Sequence, residues 1–380
     1  MQTRSRHHIP IKLILMLKGH DPLITVKAPG KLYIAGEYAV VESGYPAIIV
    51  ALNQFVSASI EKTKNIGRIV SEQYHENSII WRREGSKMVF DNRDNPFHYI
   101  LSAIAITEEY ASNLHKDLGL YNLYINSDLD SADGKKYGLG SSAAVTVATI
   151  KALAKFYHLP LTKDILFKLS AIAHFDVQGN GSLGDIAASV YGGWIAYHSF
   201  NRDWLAVQRR QTTLMDLLEK KWPGLDIELL TPPAGLKLMI GWTGSPASTS
   251  HLVDKVAMGK VKDHREYQVF LKESKACLKE MIKGFHDQSI TVIQNQLRIN
   301  RKVLKKLSDF SNVLIETPTL KEMINDAETA GGAAKSSGAG GGDCGIVLID
   351  QNRPTETLLT TWQKKGIKQL NFNVHNVTEL

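Results

Sequence analysis

Cysteine is scarce: Cys277 and Cys344 are the only two in 380 residues, and neither sits in a C-x-x-C pair. A disulfide framework and a four-cysteine zinc site are thereby excluded, and a reducing cytoplasm is the simpler setting. Compact Lys/Arg-rich runs are absent too. The formal net charge is +7, but the first twenty residues carry Arg4, Arg6, Lys12 and Lys18 with no acid, so the remaining 360 hold only +3. An excess that thin suits small anionic ligands as well as a polyanion, and no nucleic-acid partner is expected. Long apolar runs are missing as well. The stretch Ile9–Leu17 is broken by Lys12 and lacks an A-x-A-like cleavage site after it, and it falls short of the roughly 20 apolar residues that span a bilayer. Residues 1–23 therefore read as a disordered extension or an upstream start rather than a targeting signal, and no membrane partner is expected. No Gly-Lys is followed by Ser or Thr, which removes the Walker A loop, and there is no H-E-x-x-H and no internal repeat.

What is present describes a folded chain. With 43% apolar and 22% charged residues, compositional disorder is ruled out, and the length suits two domains. Ile24–Ala28, Leu32–Tyr38, Phe55–Ile60 and Tyr121–Asn126 read as strands. A helix opens at Pro96 and is stopped by Gly119; others are expected over Ala143 to about Tyr157 and Lys163 to about Phe175, with a closing strand Gly192–Ser199. A linker-like stretch then leads to a short helix, Leu214–Trp222, and the strand Leu236–Trp242. Long lysine-bearing helices follow, about His264–His286 and Ile290–Phe310, then a helix to about Ala330. The strand Gly345–Asp350, a helix and the strand Gln369–Val374 complete an α+β pattern.

G-x-G-x-x-G occurs at Gly179–Gly184 and again at Gly340–Gly345. The dinucleotide fingerprint needs a strand before it and a helix after it; the first copy follows a helix and the second precedes a strand. Gly138-Leu139-Gly140-Ser141-Ser142-Ala143 does open a helix, but the preceding strand ends eleven residues earlier, so the tight βα turn is missing. That turn fits a phosphate cradle, because a helix N-terminus offers free N–H groups and glycines let a phosphate approach. It fits an ordinary serine-capped helix equally. Lys135 and Lys136 sit just upstream. Lys335-Ser336-Ser337-Gly338-Ala339-Gly340-Gly341-Gly342-Asp343-Cys344-Gly345 runs straight into an apolar strand, which favours an anion-binding loop over a surface linker. Lys31 follows the Pro29-Gly30 turn, and Asp185 lies near a helix start. Taken singly, surface charge and helix cap are the simpler readings of these two.

Taken together, Pro29-Gly30-Lys31-Leu32-Tyr33-Ile34-Ala35-Gly36-Glu37-Tyr38, Gly138–Ala144 and Lys335–Gly345 resemble the three ordered motifs of the GHMP small-molecule kinases. The resemblance spans about Ile24 to the C-terminus. Within the superfamily it is most like the bacterial phosphomevalonate kinases, through Lys135-Lys136-Tyr137, Gly179–Asp185, Gly241–Pro246 and the Asp343-Cys344 ending. It implies an α+β GHMP kinase fold, with an N-terminal domain like domain 2 of ribosomal protein S5 over 24–205 and a ferredoxin-like C-terminal domain over 206–380. The implied reaction, in the mevalonate pathway of isoprenoid biosynthesis, converts ATP and (R)-5-phosphomevalonate to ADP and (R)-5-diphosphomevalonate.

The resemblance also implies roles. Gly138, Leu139, Gly140, Ser141, Ser142 and Ala143 would hold the ATP phosphates, with Ser142 ligating Mg²⁺. Asp185 and Lys31 would be the catalytic pair. Tyr38, Lys135, Lys136, Ser182, Ser337, Gly338, Ala339 and Gly340 would face the substrate. One position departs from the pattern: mevalonate kinases carry a metal-binding glutamate eleven residues before the catalytic aspartate, and here His174 stands there. Metal ligation would then rest on Ser142, ATP and water. Another GHMP enzyme (mevalonate kinase or diphosphomevalonate decarboxylase) and a non-catalytic GHMP-fold ligand sensor remain as alternatives. A cytoplasmic monomer or homodimer is expected.

Overall fold

The computed structural model describes residues 23–72, 78–90, 96–130, 135–244 and 249–380, with 249–251 and 259–262 described in their backbone only. The expectation for the leader falls outside these residues, apart from Leu23. So do positions 131–134 of the polar loop and the last two of Gly241–Pro246.

The chain opens with β1 (Ile24–Ala35) and, after a 3-10 turn at Ala39–Val41, β2 (Pro46–Lys62). These two pair antiparallel over almost their whole length, with a register shift between Pro29 and Gly30. The expected break at Pro29-Gly30 is therefore only an irregularity inside one strand, where a missing proline N–H is tolerated. The expected strand to Tyr38 ends at Ala35, because Gly36 (φ 93°) and Tyr38 (φ 63°) turn the chain. β3 (Gly67–Ser71), β4 (Ser78–Glu84) and β5 (Lys87–Phe90) form a side that sequence patterning did not indicate. Then come α1 (His98–Asn113), β6 (Tyr121–Ser127), α2 (Ser141–Phe156), α3 (Lys163–Gln178), α4 (Gly184–Tyr191) and β7 (Trp194–His198). The expected linker contains α5 (Arg202–Gln211), started by Asn201, whose side chain accepts from Trp204 N. It precedes α6 (Leu214–Glu219) and β8 (Asp226–Leu230).

These strands make one eight-stranded sheet in the order β5-β4-β3-β6-β2-β7-β8, with β1 on β2. All pairs are antiparallel except β3 with β6. The first half of β2, Pro46–Leu52, is buried throughout, as expected of a strand covered on both faces. The sheet reaches Leu230, so it crosses the 205/206 division expected from the sequence.

The second unit contains β9 (Leu236–Trp242), α7 (Thr249–Lys262), α8 (His264–His286), α9 (Ile290–Ser311), α10 (Pro318–Thr329), β10 (Ala333–Ser336), β11 (Cys344–Asp350), α11 (Glu356–Lys364) and β12 (Lys368–Leu370). Its sheet runs β10-β11-β9-β12, antiparallel throughout. Counted in chain order, that is 4-1-3-2 read from β12, with helices between first and second and between third and fourth strands, the ferredoxin-like pattern. On α8 the buried Tyr267, Phe270, Leu271, Ser274, Cys277, Leu278, Met281 and Phe285 recur at helical spacing, and this stripe packs toward α9. The expected last strand is shorter than Gln369–Val374. Instead Val374 bridges Leu52, and His375 N donates to Ala51 O, so the chain end straps back onto the first sheet. No described helix is long and apolar enough to cross a membrane, and both cysteines are free and buried.

Candidate active site

Four chain segments converge on one cavity of about 370 Å³ between the two units. Lys31 enters from β1. Gly30 matters here, since a Cβ on it would lie 3.0 Å from Leu139 O and 2.7 Å from the Leu129 side chain. Only glycine lets the strand approach the 138–140 turn this closely. Lys31 N then donates to Leu139 O at 2.8 Å, and its ammonium donates to Gly138 O at 3.0 Å. Burial holds this lysine below its usual range, against the opposing pull of Asp185, Asp343, Cys344 and Glu37.

The turn delivers the chain to α2. Its N-cap is Gly140 in the left-handed region, φ 77°, with no side-chain cap. The serine-cap reading therefore fails: Ser141 and Ser142 already lie inside the helix, and the first amides keep no side-chain partner. Ser141 and Ser142 line the cavity, whereas Ala143 is buried beneath the first turn. The Ser142 hydroxyl lies 3.1 Å from His174 Nε2, and the His174 ring stacks on Tyr99 with centroids 4.8 Å apart. Burial lowers the His174 pKa, opposed by Asp185.

Asp185 sits in the first turn of α4, its Oδ1 accepting from Ile186 N at 3.0 Å. It faces Lys31 across Gly140, where a Cβ would come within 3.0 Å of Lys31 Cε and 3.6 Å of Asp185 Cβ. No hydrogen bond or ion pair joins the two among the described residues; their attraction is through space. Ser182, just before the helix, shares a hydrogen bond with Tyr33 OH at 2.9 Å, and its carbonyl accepts from Tyr197 OH at 2.6 Å.

The third wall is the loop between β10 and β11. Ser337 Oγ donates to Tyr33 O at 2.7 Å, Gly338 N to Glu37 Oε1 at 3.3 Å, and Tyr38 OH to Ala339 O at 2.5 Å. Ser337 N and Gly341 N are also spent, on Cys344 O and Ile315 O. The expected run of anion-binding amides is thus narrower than the glycine count suggested. Gly340 does not line the cavity; a Cβ on it would strike Ile315 O at 2.3 Å. Lys135 and Lys136 are both exposed, and of the two Lys136 alone lines the cavity.

Glu37, Tyr33, Tyr99, Asp130 and Asp343 also line the cavity and were not singled out as site residues. Glu37 and Tyr33 lie inside the first motif, which could have flagged them. Tyr99 and Asp130 carry no local signal. The lining carries the carboxylates of Asp130, Asp185 and Asp343 together with Lys31 and Lys136. The charged and hydroxyl oxygens, Ser142 Oγ among them, suit a hard divalent ion. Among the described residues no cluster of three or more His, Cys, Asp or Glu side chains could hold a metal alone, so such an ion would be shared with a phosphate ligand.

Comparison with known proteins gives two family matches, the GHMP kinases N terminal domain over residues 98–193 and the GHMP kinases C terminal over 273–368. A phosphomevalonate kinase of Streptomyces sp. (strain CL190) is 35% identical over 355 residues, covering 90% of this chain and 95% of that relative. Among solved structures, Streptococcus pneumoniae phosphomevalonate kinase in complex with phosphomevalonate and AMPPNP matches with a TM-score of 0.81 at 32% identity, over 93% of this chain and 100% of that one. A Lin0012 protein from Listeria innocua matches with a TM-score of 0.89 at 38% identity, over 93% and 98%.

Proposed function

The chain belongs to the GHMP kinases, and from that premise we propose that it transfers the γ-phosphoryl group of ATP to (R)-5-phosphomevalonate, giving ADP and (R)-5-diphosphomevalonate. One observation carries the reading. Lys31, the glycine-capped start of α2, Asp185 and the Ser337–Ala339 loop line a single cavity, in a chain whose solved relative holds phosphomevalonate and AMPPNP.

Phosphoryl transfer asks a protein mainly for positioning and charge neutralisation. The open first turn of α2 and its Gly138–Gly140 approach bind the ATP phosphates. Ser142 Oγ, with those phosphates, would hold Mg²⁺, which supplies neutralisation of the polyphosphate charge. His174 holds the Ser142 hydroxyl. Lys31, desolvated beside the turn, stabilises charge on the transferring group. The acceptor is a phosphate monoester, whose oxygen is already ionised near neutral pH, so Asp185 orients it more than it deprotonates it. Tyr38, Ser182 and the Ser337–Ala339 loop bound the acceptor side. The two buried free cysteines support a cytoplasmic setting.

Measuring ADP release with mevalonate, phosphomevalonate and diphosphomevalonate tests the assignment. Turnover should require phosphomevalonate. Faster turnover of mevalonate or diphosphomevalonate would reassign the enzyme, and release with none of the three would leave a binding protein.

We assign Lys136, one of the two lysines of the cavity lining, to the acceptor's phosphate. Lys136→Ala should raise the phosphomevalonate KM about tenfold, the size of one modest charge-assisted hydrogen bond, with the ATP KM nearly unchanged. Lys135→Ala should change neither. Equal shifts in both KM values for Lys136→Ala would move this lysine to the nucleotide.

A further inference from the structure

The most deeply buried ion pair among the described residues lies behind the reacting groups rather than among them. Lys335 on β10 is wholly buried, Glu37 is 3% exposed, and the ammonium donates to Glu37 Oε1 at 2.5 Å and to Ser336 O at 2.6 Å. The partners are 298 residues apart, one in the turn after β1 and the other in the second sheet. A buried ion pair is seldom worth more to stability than a well-packed apolar pair of the same volume, so stability alone is a poor reason for it.

The surroundings supply a better one. Glu37 Oε1 also accepts the Gly338 N–H, and on either side Ser337 and Ala339 are gripped by Tyr33 O and Tyr38 OH. Three successive loop residues are thus held by one short stretch of chain, 33–38. Packing does not do this at Gly338: the residue sits at φ 72°, and a Cβ on it would meet nothing within 4 Å. Two residues on, Gly340 is pressed against Ile315 O. Hydrogen bonds hold Ser337, Ala339 and Gly341, close contact holds Gly340, and at Gly338 the hold is the Glu37 carboxylate.

We infer that Glu37 and Lys335 are positioning residues that hold the Ser337–Ala339 loop in its cavity-lining conformation, Lys335 aiming the carboxylate and Glu37 fixing the Gly338 amide. The inference rests on the functional reading above for its effect on turnover, but not for its effect on the loop. Neither residue transfers a proton or touches the transferred group.

The test separates the hydrogen bond from the charge. The double variant Glu37→Met/Lys335→Met is apolar and of similar volume; Glu37→Gln/Lys335→Met is also neutral but keeps an oxygen for Gly338. Both should melt near the wild type. In the Met pair, amide hydrogen exchange over 337–341 should quicken about tenfold or more, exchange in α8 and α9 should stay unchanged, and kcat should fall at least about tenfold. The Gln-containing pair should recover both. Wild-type loop exchange and kcat in the Met pair would overturn the inference, as would a Gln-containing pair that melts normally without recovering the loop. Should the Met pair not fold, Glu37→Gln alone decides. Its loop exchange should stay within about threefold of wild type while the melting temperature falls, and a loop as open as unfolded chain would refute the proposal. Exchange is read without substrate, so a wild type inactive on phosphomevalonate would sink the assigned reaction and leave this test standing.

Discussion

Lys31→Met should lower kcat by at least ~10²-fold, about 2.7 kcal/mol of transition-state stabilisation, the range found when one preorganised electrostatic donor is removed. The side chain is almost completely withdrawn from water, and its hydrogen bond goes to Gly138 O. An ammonium has three donors, so two remain for phosphate oxygens. In a desolvated cavity their interaction with developing charge is strong, and methionine fills the space without replacing it. Asp185→Asn should cost less, about 10-fold or somewhat more, because Gly138 rather than Asp185 anchors the ammonium, and the amide keeps the shape of the carboxylate. The double variant should lose less than the product of the two single losses, since both act on the same transferring group. Steady-state kinetics on the four proteins checks this. Near-wild-type turnover in Lys31→Met would remove the lysine from the chemistry, and strictly multiplicative losses would separate its role from that of Asp185.

The site was more legible in the sequence than the fold around it. Its three glycine-bearing motifs are read from residue order, because a backbone that must approach a ligand or another strand closely needs glycine at fixed places. Gly30, Gly138 and Gly140 are such places. What the motifs could not supply was direction. Lys135 and Lys136 are adjacent and chemically alike, yet only Lys136 faces the cavity, across the Asp130–Lys136 bridge. Lys335 shows the converse: nothing in the third motif marks this lysine for burial, but Glu37, 298 residues away, lets it be wholly buried in a strand. The long helices α8 and α9 were visible because an apolar stripe recurs with little interruption. Helix α5 was not, because Leu205 is its only buried residue, so it has almost no stripe to detect.

The strands β3, β4 and β5 were missed for a related reason, and that reason leads to a second large effect. β4 reads Ser-Ile-Ile-Trp-Arg-Arg-Glu, a segment whose charged end looks like a loop. Its Arg83 points inward instead, to a bidentate pair with Glu108 on α1 at 2.9 and 2.6 Å, with Tyr121 and Tyr157 hydroxyls donating to the same carboxylate. The guanidinium also donates to Ser86 O and Gly119 O and lies over Trp81. Both side chains are under a tenth exposed. Removing one partner of such a pair leaves a buried charge without its counter-ion, which costs about 3–5 kcal/mol. Arg83→Met should fall at the lower end, because the two tyrosines still solvate Glu108, and the loss should appear as a lower denaturation midpoint. Turnover per folded molecule should be unchanged, since the pair lies away from the cavity. Adding Glu108→Gln to Arg83→Met should restore most of the stability: the amide oxygen still receives the tyrosine hydroxyls and no charge is left stranded. If the double variant is as unstable as Arg83→Met alone, the hairpin is held by the arginine's own contacts with Ser86, Gly119 and Trp81, and the ion pair is incidental to it.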